Sequence, residues 1–430
     1  MRARLIRALA FLRVARPVHT SRMPQIDVHI RSLPTRATLP GTIAPGRPGR
    51  FVRWLALESI STLRMMSTLS QLLALSLLPQ ASVALTTRVE VPCFEASAWP
   101  EADLIFRRDR HWVGGDGASS VDLGGGRTLW LFGDSWIDPS GKHTRQGARM
   151  ISNSVAIQTG TDPATAAIAF YWGRAKDGGP APLFPDRGAE RLWPGSGVRL
   201  GNRLVLFFNR IKNDNGSGFD SAGWTAVMVE NVDAAPSAWR VMPLETPDNP
   251  LGVIVGFAGV LQLDEYVYAF GSEDPVKSHP LYLVRWPSVD VRRGKLLSPE
   301  WWAGDRMGWV ADISSVRRWP VLENGQSELT IHFDQASNRF LELQTVGFGA
   351  ADVAMRAAPS FTGPWTAPQV IYRPPEYNRP NVMIYSAKGH PQLTGTDMLV
   401  TYSTNSFQFA EHLTESQIYY PRFVRLTRCK

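Results

Sequence analysis

Cysteine is almost missing from this chain of 430 residues, which holds only Cys93 and Cys429. With no other thiol and no dense histidine cluster, a zinc finger or ribbon is excluded. Two thiols near opposite ends are a natural pair in an oxidising compartment, where a bond would tie the termini together. Lysine is absent from residues 1–64, where twelve arginines meet two acids, so that segment carries +10 and the remainder sums to about −2. The body of the protein therefore lacks the basic face that a nucleic-acid partner needs. Long apolar runs are lacking too: Leu69 to Gln80 is too short to cross a bilayer. No Gly-rich phosphate loop and no Ser-His-Asp elbow motif occurs. No metal site and no cofactor is expected.

Arg64, the apolar LSQLLALSLLPQ and then Ser82-Val83-Ala84 have the charged, apolar and small-residue parts of a secretory signal peptide. The expected organisation is an Arg-rich leader over 1–64, a signal peptide over 65–84 and one domain over 85–430. Met65 and Met66 make residues 1–64 an upstream artefact of a mis-called start; the competing reading is an Arg-rich targeting helix over Arg2 to Arg16. On the first reading the product is secreted or periplasmic, with no stable membrane insertion after signal removal; the Arg-rich segment, poor in acids, also fits an organellar transit peptide.

From Phe106 onward there is no long 3.6-residue apolar period. Short runs of Val, Leu, Phe, Tyr and Trp are broken by Gly, Pro, Asn and Asp, the pattern of an all-β domain. One hairpin-like unit recurs five times, ending at Asp134, Asn209, Ser272, Asp334 and Asn405, with second strands expected to begin near residues 128, 203, 266, 328 and 397. That spacing predicts a five-bladed β-propeller of four-stranded blades. The N-terminal strand, expected over Arg88 to Cys93, closes it by pairing with a last strand over Tyr419 to Arg428, which removes open sheet edges.

The unit at GGDGASSVDLGGGRTLWLFGDSWID, Gly114 to Asp138, draws the attention. With Gly124 to Gly126 as the turn, Asp116 and Asp134 fall symmetrically across a hairpin, where cross-strand neighbours lie about 5 Å apart at Cβ. Two carboxylates so placed push one another toward the protonated form, which is what acid–base chemistry at neutral pH uses. The plainer alternative is that each aspartate caps a strand end. In a propeller the starts of the inner strands converge on one funnel, to which Asp312, Lys388 and His390 are also assigned.

Several passages resemble a known family, the five-bladed propellers of the glycoside-hydrolase type, and within them an uncharacterised-domain family of exported bacterial proteins that includes endo-D-arabinofuranases. The likeness rests on GGDG with TLWLFGDSW, MISNSVAIQTG, PLYLVRWP, AMRAAPSFTGPWTAPQVIY, and YSAKGHPQL with LVTYSTNS, from about Trp112 to Arg425. The resemblance implies that Asp116 and Asp134 are the reactive carboxylates. Cleavage of a glycosidic bond, arabinofuranosyl bonds included, is the expected activity, on a polysaccharide or oligosaccharide. Glu273 or Asp274 is a candidate third acid. Asn153 and Asp220 are candidate sugar contacts, and Trp136, with Trp112, Trp193 and Trp224, a candidate stacking surface. A propeller that binds a glycan or protein without cleaving it is the alternative.

Overall fold

The computed structural model describes residues 89–212, 220–273, 277–316 and 319–430. The leader, the signal peptide and Asp274 lie outside the described residues. The rest is all-β, with five sheets of four or five strands and two smaller ones. The first sheet runs Ser119–Gly124, Arg127–Phe132, Ser154–Thr159 and Ala167–Tyr171. The second runs Glu190–Leu200, Arg203–Lys212, Ser221–Val229 and Val241–Leu244. The third opens with Val253–Leu263, Tyr266–Glu273 and Leu281–Pro287 and adds two short strands. The fourth is Thr330–Asp334, Arg339–Phe348, Ala350–Ala358 and Gln369–Tyr372.

The fifth sheet joins both ends of the domain: Val382–Gly389, Met398–Ser406, Arg422–Arg428 and, outermost, Phe94–Ala98. Phe94 pairs with Arg428, and Ala98 with Val424. The N-terminal strand thus starts just after Cys93 rather than at Arg88. Pro92 explains the shift, since it has no N–H to give to a ladder. Cys93 and Cys429 are disulfide-bonded with Cα atoms 5.5 Å apart, as their place at the two ends predicts.

Why the sheets stack is visible in their second strands. Arg127–Phe132 is buried at every position but the first, so apolar side chains leave both faces and need a neighbour on each. Val121, Leu129 and Leu131 meet Leu204, Leu206 and Phe208 of the second sheet. Further cores join the second sheet to the third, the third to the fourth and the fourth to the fifth. A fifth core, with Trp130, Phe132, Leu399 and Phe423, lies between the fifth sheet and the first.

One repeat is misplaced by its sequence pattern. Thr330–Asp334, taken as a second strand, is the first strand of the fourth sheet; the second is Arg339–Phe348. The hairpin between them is made by Asn338 at φ 53° and by Asp334, whose carboxylate accepts the Ser337 N–H. Asp312 therefore does not open an inner strand. It lies before the short helical turn Ile313–Val316, exposed, with its carboxylate bonded to Ser314.

Candidate active site

The first hairpin has the register its glycines dictate. Gly124, Gly125 and Gly126 all take positive φ, which an L side chain resists, and Ser119 pairs with Leu131 on one side of the turn. Beyond the sheet the same register returns where Gly115 pairs with Ser135. Asp116 and Asp134 stand at opposite register positions in the gap between these two ladders. Asp116 does not begin the inner strand, which starts at Ser119; Gly117 at φ 80° and Ala118 at φ 47° break the chain between them. Ala118 N–H and Gly133 N–H both donate to the Asp116 carbonyl.

The two carboxylates have different surroundings. Asp134 lines a cavity of about 250 Å³ with Arg149, Met150, Ser152, Asp186 and Arg191. It accepts a hydrogen bond from Trp193 Nε1 at 3.0 Å and pairs with Arg191 at 3.7 Å. Burial nevertheless raises its pKa to about 6, against the pull of Arg191 and Trp193. Asp116 keeps some solvent access although protein atoms surround it. Its Oδ2 accepts from Tyr385 at 2.6 Å and from Tyr419 at 3.1 Å. Burial, then the charges of Asp134 and Glu328, raise its pKa to about 8, and the two phenols only partly offset this. At neutral pH one proton resides on Asp116 and Asp134 is largely ionised.

Strain concentrates here. Of eight non-glycine residues at positive φ among the described residues, Ala118, Ser386 and Tyr419 surround Asp116. Ser386 Oγ donates to the Gly117 carbonyl, and a bulge between Tyr385 and Lys388 turns the fifth sheet's inner strand toward the pair. Left-handed backbone at non-glycine residues costs free energy and is a mark of functional sites.

Not every candidate joins this cluster. Glu328, on the segment leading into the fourth sheet, is the third carboxylate near the pair; it faces Lys388 Nζ at 3.6 Å. Glu273 ends the second strand of the third sheet, only 5 % exposed, and accepts from Tyr282. The charges that act on Asp116 are those of Asp134 and Glu328 rather than of Glu273. Lys388 is buried, bonded to Ser386 Oγ, and its ammonium pKa is lowered by burial against the pull of Glu328 and Asp116. His390 is buried too. Gln392 donates to Ser120 Oγ, which is hydrogen-bonded to His390 Nδ1 at 2.6 Å, and Nε2 reaches Thr401, so a neutral imidazole braces the first sheet against the fifth. Its pKa falls to about 3 through burial.

Asn153 is fully buried, with its oxygen on Phe184 N–H and its nitrogen on the Phe184 and Leu192 carbonyls. With those groups spent it holds the loop before the second sheet and has nothing left for a sugar. Trp136 is 6 % exposed and packs on Phe409 and His412, which places it in the wall. Trp112 and Trp224 are core; Trp193 is the one tryptophan of the four that touches a carboxylate of the pair. Asp220 is exposed, beside Ser221 at a cleft of about 790 Å³ over the second sheet. Among the described residues no group of three or more His, Cys, Asp or Glu side chains is arranged to hold a metal ion.

Residues 101–428 match the family described as Domain of unknown function (DUF5005). The chain belongs to that family. No curated protein sequence matches it. A candidate hydrolase from Bacteroides ovatus has a similar fold, with TM-score 0.61 and 17 % identity over 77 % of this chain and 90 % of that one. An α-L-arabinofuranosidase from Podospora anserina aligns at TM-score 0.43 and 11 % identity, over 78 % and 97 % of the two chains. An exo-1,5-α-L-arabinanase from a bovine ruminal metagenomic library aligns at 0.40 and 9 %, over 74 % and 94 %.

Proposed function

We propose that this member of the DUF5005 family is an exported glycoside hydrolase, that its five large sheets are the blades of a propeller, and that Asp116 and Asp134 at the mouth of the axis cleave the bond. The observation that carries the reading is the carboxylate pair itself, one member holding its proton to about pH 8 and the other losing it near 6. Asp116 is the acid that protonates the departing glycosidic oxygen. Asp134, steered by Arg191 and Trp193, is the carboxylate that acts at the anomeric carbon, as base toward water or as nucleophile. Burial, then repulsion from Asp134 and Glu328, keeps Asp116 protonated.

The rim supports a carbohydrate partner. Phe348, Phe407 and Phe409 are 85 %, 54 % and 58 % exposed, at the ends of the second strands of the fourth and fifth sheets, the same end as Asp116 and Asp134. Phe348 lies against Phe407 at 5.7 Å. Exposed aromatic faces on the approach to a polar crevice suit sugar rings. The Cys93–Cys429 bond accords with an oxidising compartment, and among the described residues no helix is long and apolar enough to cross a membrane.

The test is a panel of poly- and oligosaccharides, arabinofuranosyl polymers first, assayed for new reducing ends. Asp116→Asn and Asp134→Asn are each expected to lose at least about 100-fold in kcat with glycan binding kept. The same aromatic rim would serve a binding protein equally well. A wild-type chain that binds glycans and releases no reducing ends establishes that second reading.

A further inference from the structure

We infer that Asn405 and His412 are positioning residues that direct the Tyr385 hydroxyl proton into Asp116 Oδ2, so that the transferable proton of Asp116 sits on Oδ1. One atom of this network has a fixed identity, and the donors and acceptors around it follow from that atom; the inference rests on the proposed carboxylate pair. Asn405 Oδ1 receives the backbone N–H of Ser406 at 2.7 Å. A backbone N–H donates only, so this atom is the amide oxygen and the other is the NH₂. His412 Nε2, 2.6 Å from the same oxygen, must therefore carry a hydrogen. The NH₂ points at the Tyr385 hydroxyl at 3.3 Å and must donate to it.

With its oxygen accepting from Asn405, Tyr385 sends its own proton 2.6 Å to Asp116 Oδ2. Tyr419 O–H donates to the same oxygen at 3.1 Å. A proton on Oδ2 would have to displace one of these donors and orphan a buried hydroxyl, which is unfavourable. Oδ1 receives no hydrogen bond among the described residues; it is the oxygen nearest the position a Gly133 side chain would take, on the Asp134 side of the hairpin. The acid proton is thus held where a substrate can take it. His412 is itself clamped, stacked on Phe409 and packed on Tyr419, so the rim and the acid share one support.

The charged and titratable groups facing Asp116 are Asp134, Glu328, Lys388, Tyr385 and Tyr419, from four separate segments. A hydrogen bond from Tyr385 favours the ionised carboxylate, so removing it should raise the midpoint of Asp116.

The test is a carboxyl-¹³C NMR titration of aspartate-labelled full chain, with Asp116→Asn assigning the signal. Tyr385→Phe should move the Asp116 midpoint up by about 1 unit. Asn405→Asp, which keeps the shape but turns the Tyr385 proton toward residue 405, should also raise it. A double-mutant cycle separates the relay from the added charge: in the Tyr385→Phe background the Asn405→Asp shift should shrink by at least half. His412→Gln, which retains a donor, should leave the midpoint within about 0.3 units. On a glycan that is cleaved, Tyr385→Phe should lower kcat with KM unchanged. Additive shifts, or a Tyr385→Phe midpoint equal to wild type in a protein that melts like wild type, overturn the relay. If no glycan is cleaved while the NMR shifts appear, the hydrolase reading fails and the relay stands.

Discussion

Arg191 stands 3.7 Å from Asp134, and among the described residues no cation comes as near to Asp116, which has two phenols instead. The asymmetry orders the pair. Asp134 ionises first, and its charge then opposes ionisation of Asp116 across the hairpin. Activity on a cleaved glycan should therefore rise through an apparent pKa near 6 and fall through one near 8, both belonging to the pair. Arg191→Met removes the charge that lowers Asp134, so the acid limb should move up while the alkaline limb moves less. A pH–kcat profile of that variant decides it.

The same shifts predict stability. Both carboxyl pKa values are raised above their unfolded value of about 3.8, so the native state binds more protons than the unfolded chain between that pH and about 8. Stability from this pair is thus fully present below about pH 3.8 and is lost as pH rises from there through 6 and then 8. Asp116→Asn removes the ionisation at its source. Its melting temperature should exceed that of wild type by roughly 3 °C at pH 9 and approach it near pH 4. Equal melting temperatures at both values would contradict the burial of an ionisable Asp116.

The hairpin and the terminal bond were legible because each depends on local chemistry: three glycines at positive φ set a turn, and two cysteines have one partner each. The fourth repeat was not. Thr330–Asp334 has the apolar pattern of any second strand, and only the turn at Asn338 reveals that another follows. That error hid Glu328, whose place just before an inner strand is that of Asp116. Tyr385 and Tyr419 reach Asp116 across 269 and 303 residues of chain, through a bulge and a left-handed backbone that no period announces. Asn153 and His390 misled in the opposite sense. Polar residues at strand ends look like ligands, yet burial had already committed their nitrogens and oxygens to loops and to Ser120 and Thr401.

Closing the fifth sheet with Phe94–Ala98 makes the domain depend on its termini. The bond between Cys93 and Cys429 spans 336 residues, and Cys429 N–H also donates to the Cys93 carbonyl. Reduction frees the outermost strand of that sheet and the unfolded chain together. A loss of about 2 to 5 kcal/mol is expected, read as a lowered urea midpoint for Cys93→Ser/Cys429→Ser. An unchanged midpoint would mean that the Phe94–Arg428 ladder holds without the bond.

Phe348 gives the sharpest test of substrate size. A phenylalanine 85 % exposed is costly for solubility and contributes little to the fold, and here it is braced by Phe407 on the neighbouring sheet. If sugar rings beyond the cleavage point rest on it, Phe348→Ala should raise KM for a long polymer about 5- to 10-fold, the loss of roughly 1 kcal/mol of aromatic contact. KM for a short oligosaccharide that fits within the crevice should not change. kcat should hold for both, because the carboxylates and their tyrosines are untouched. Melting should be unaffected, since the side chain buries almost nothing. An equal rise in KM for short and long substrates would place Phe348 inside the cleavage site rather than outside it, and no rise for either would remove the rim from substrate binding altogether.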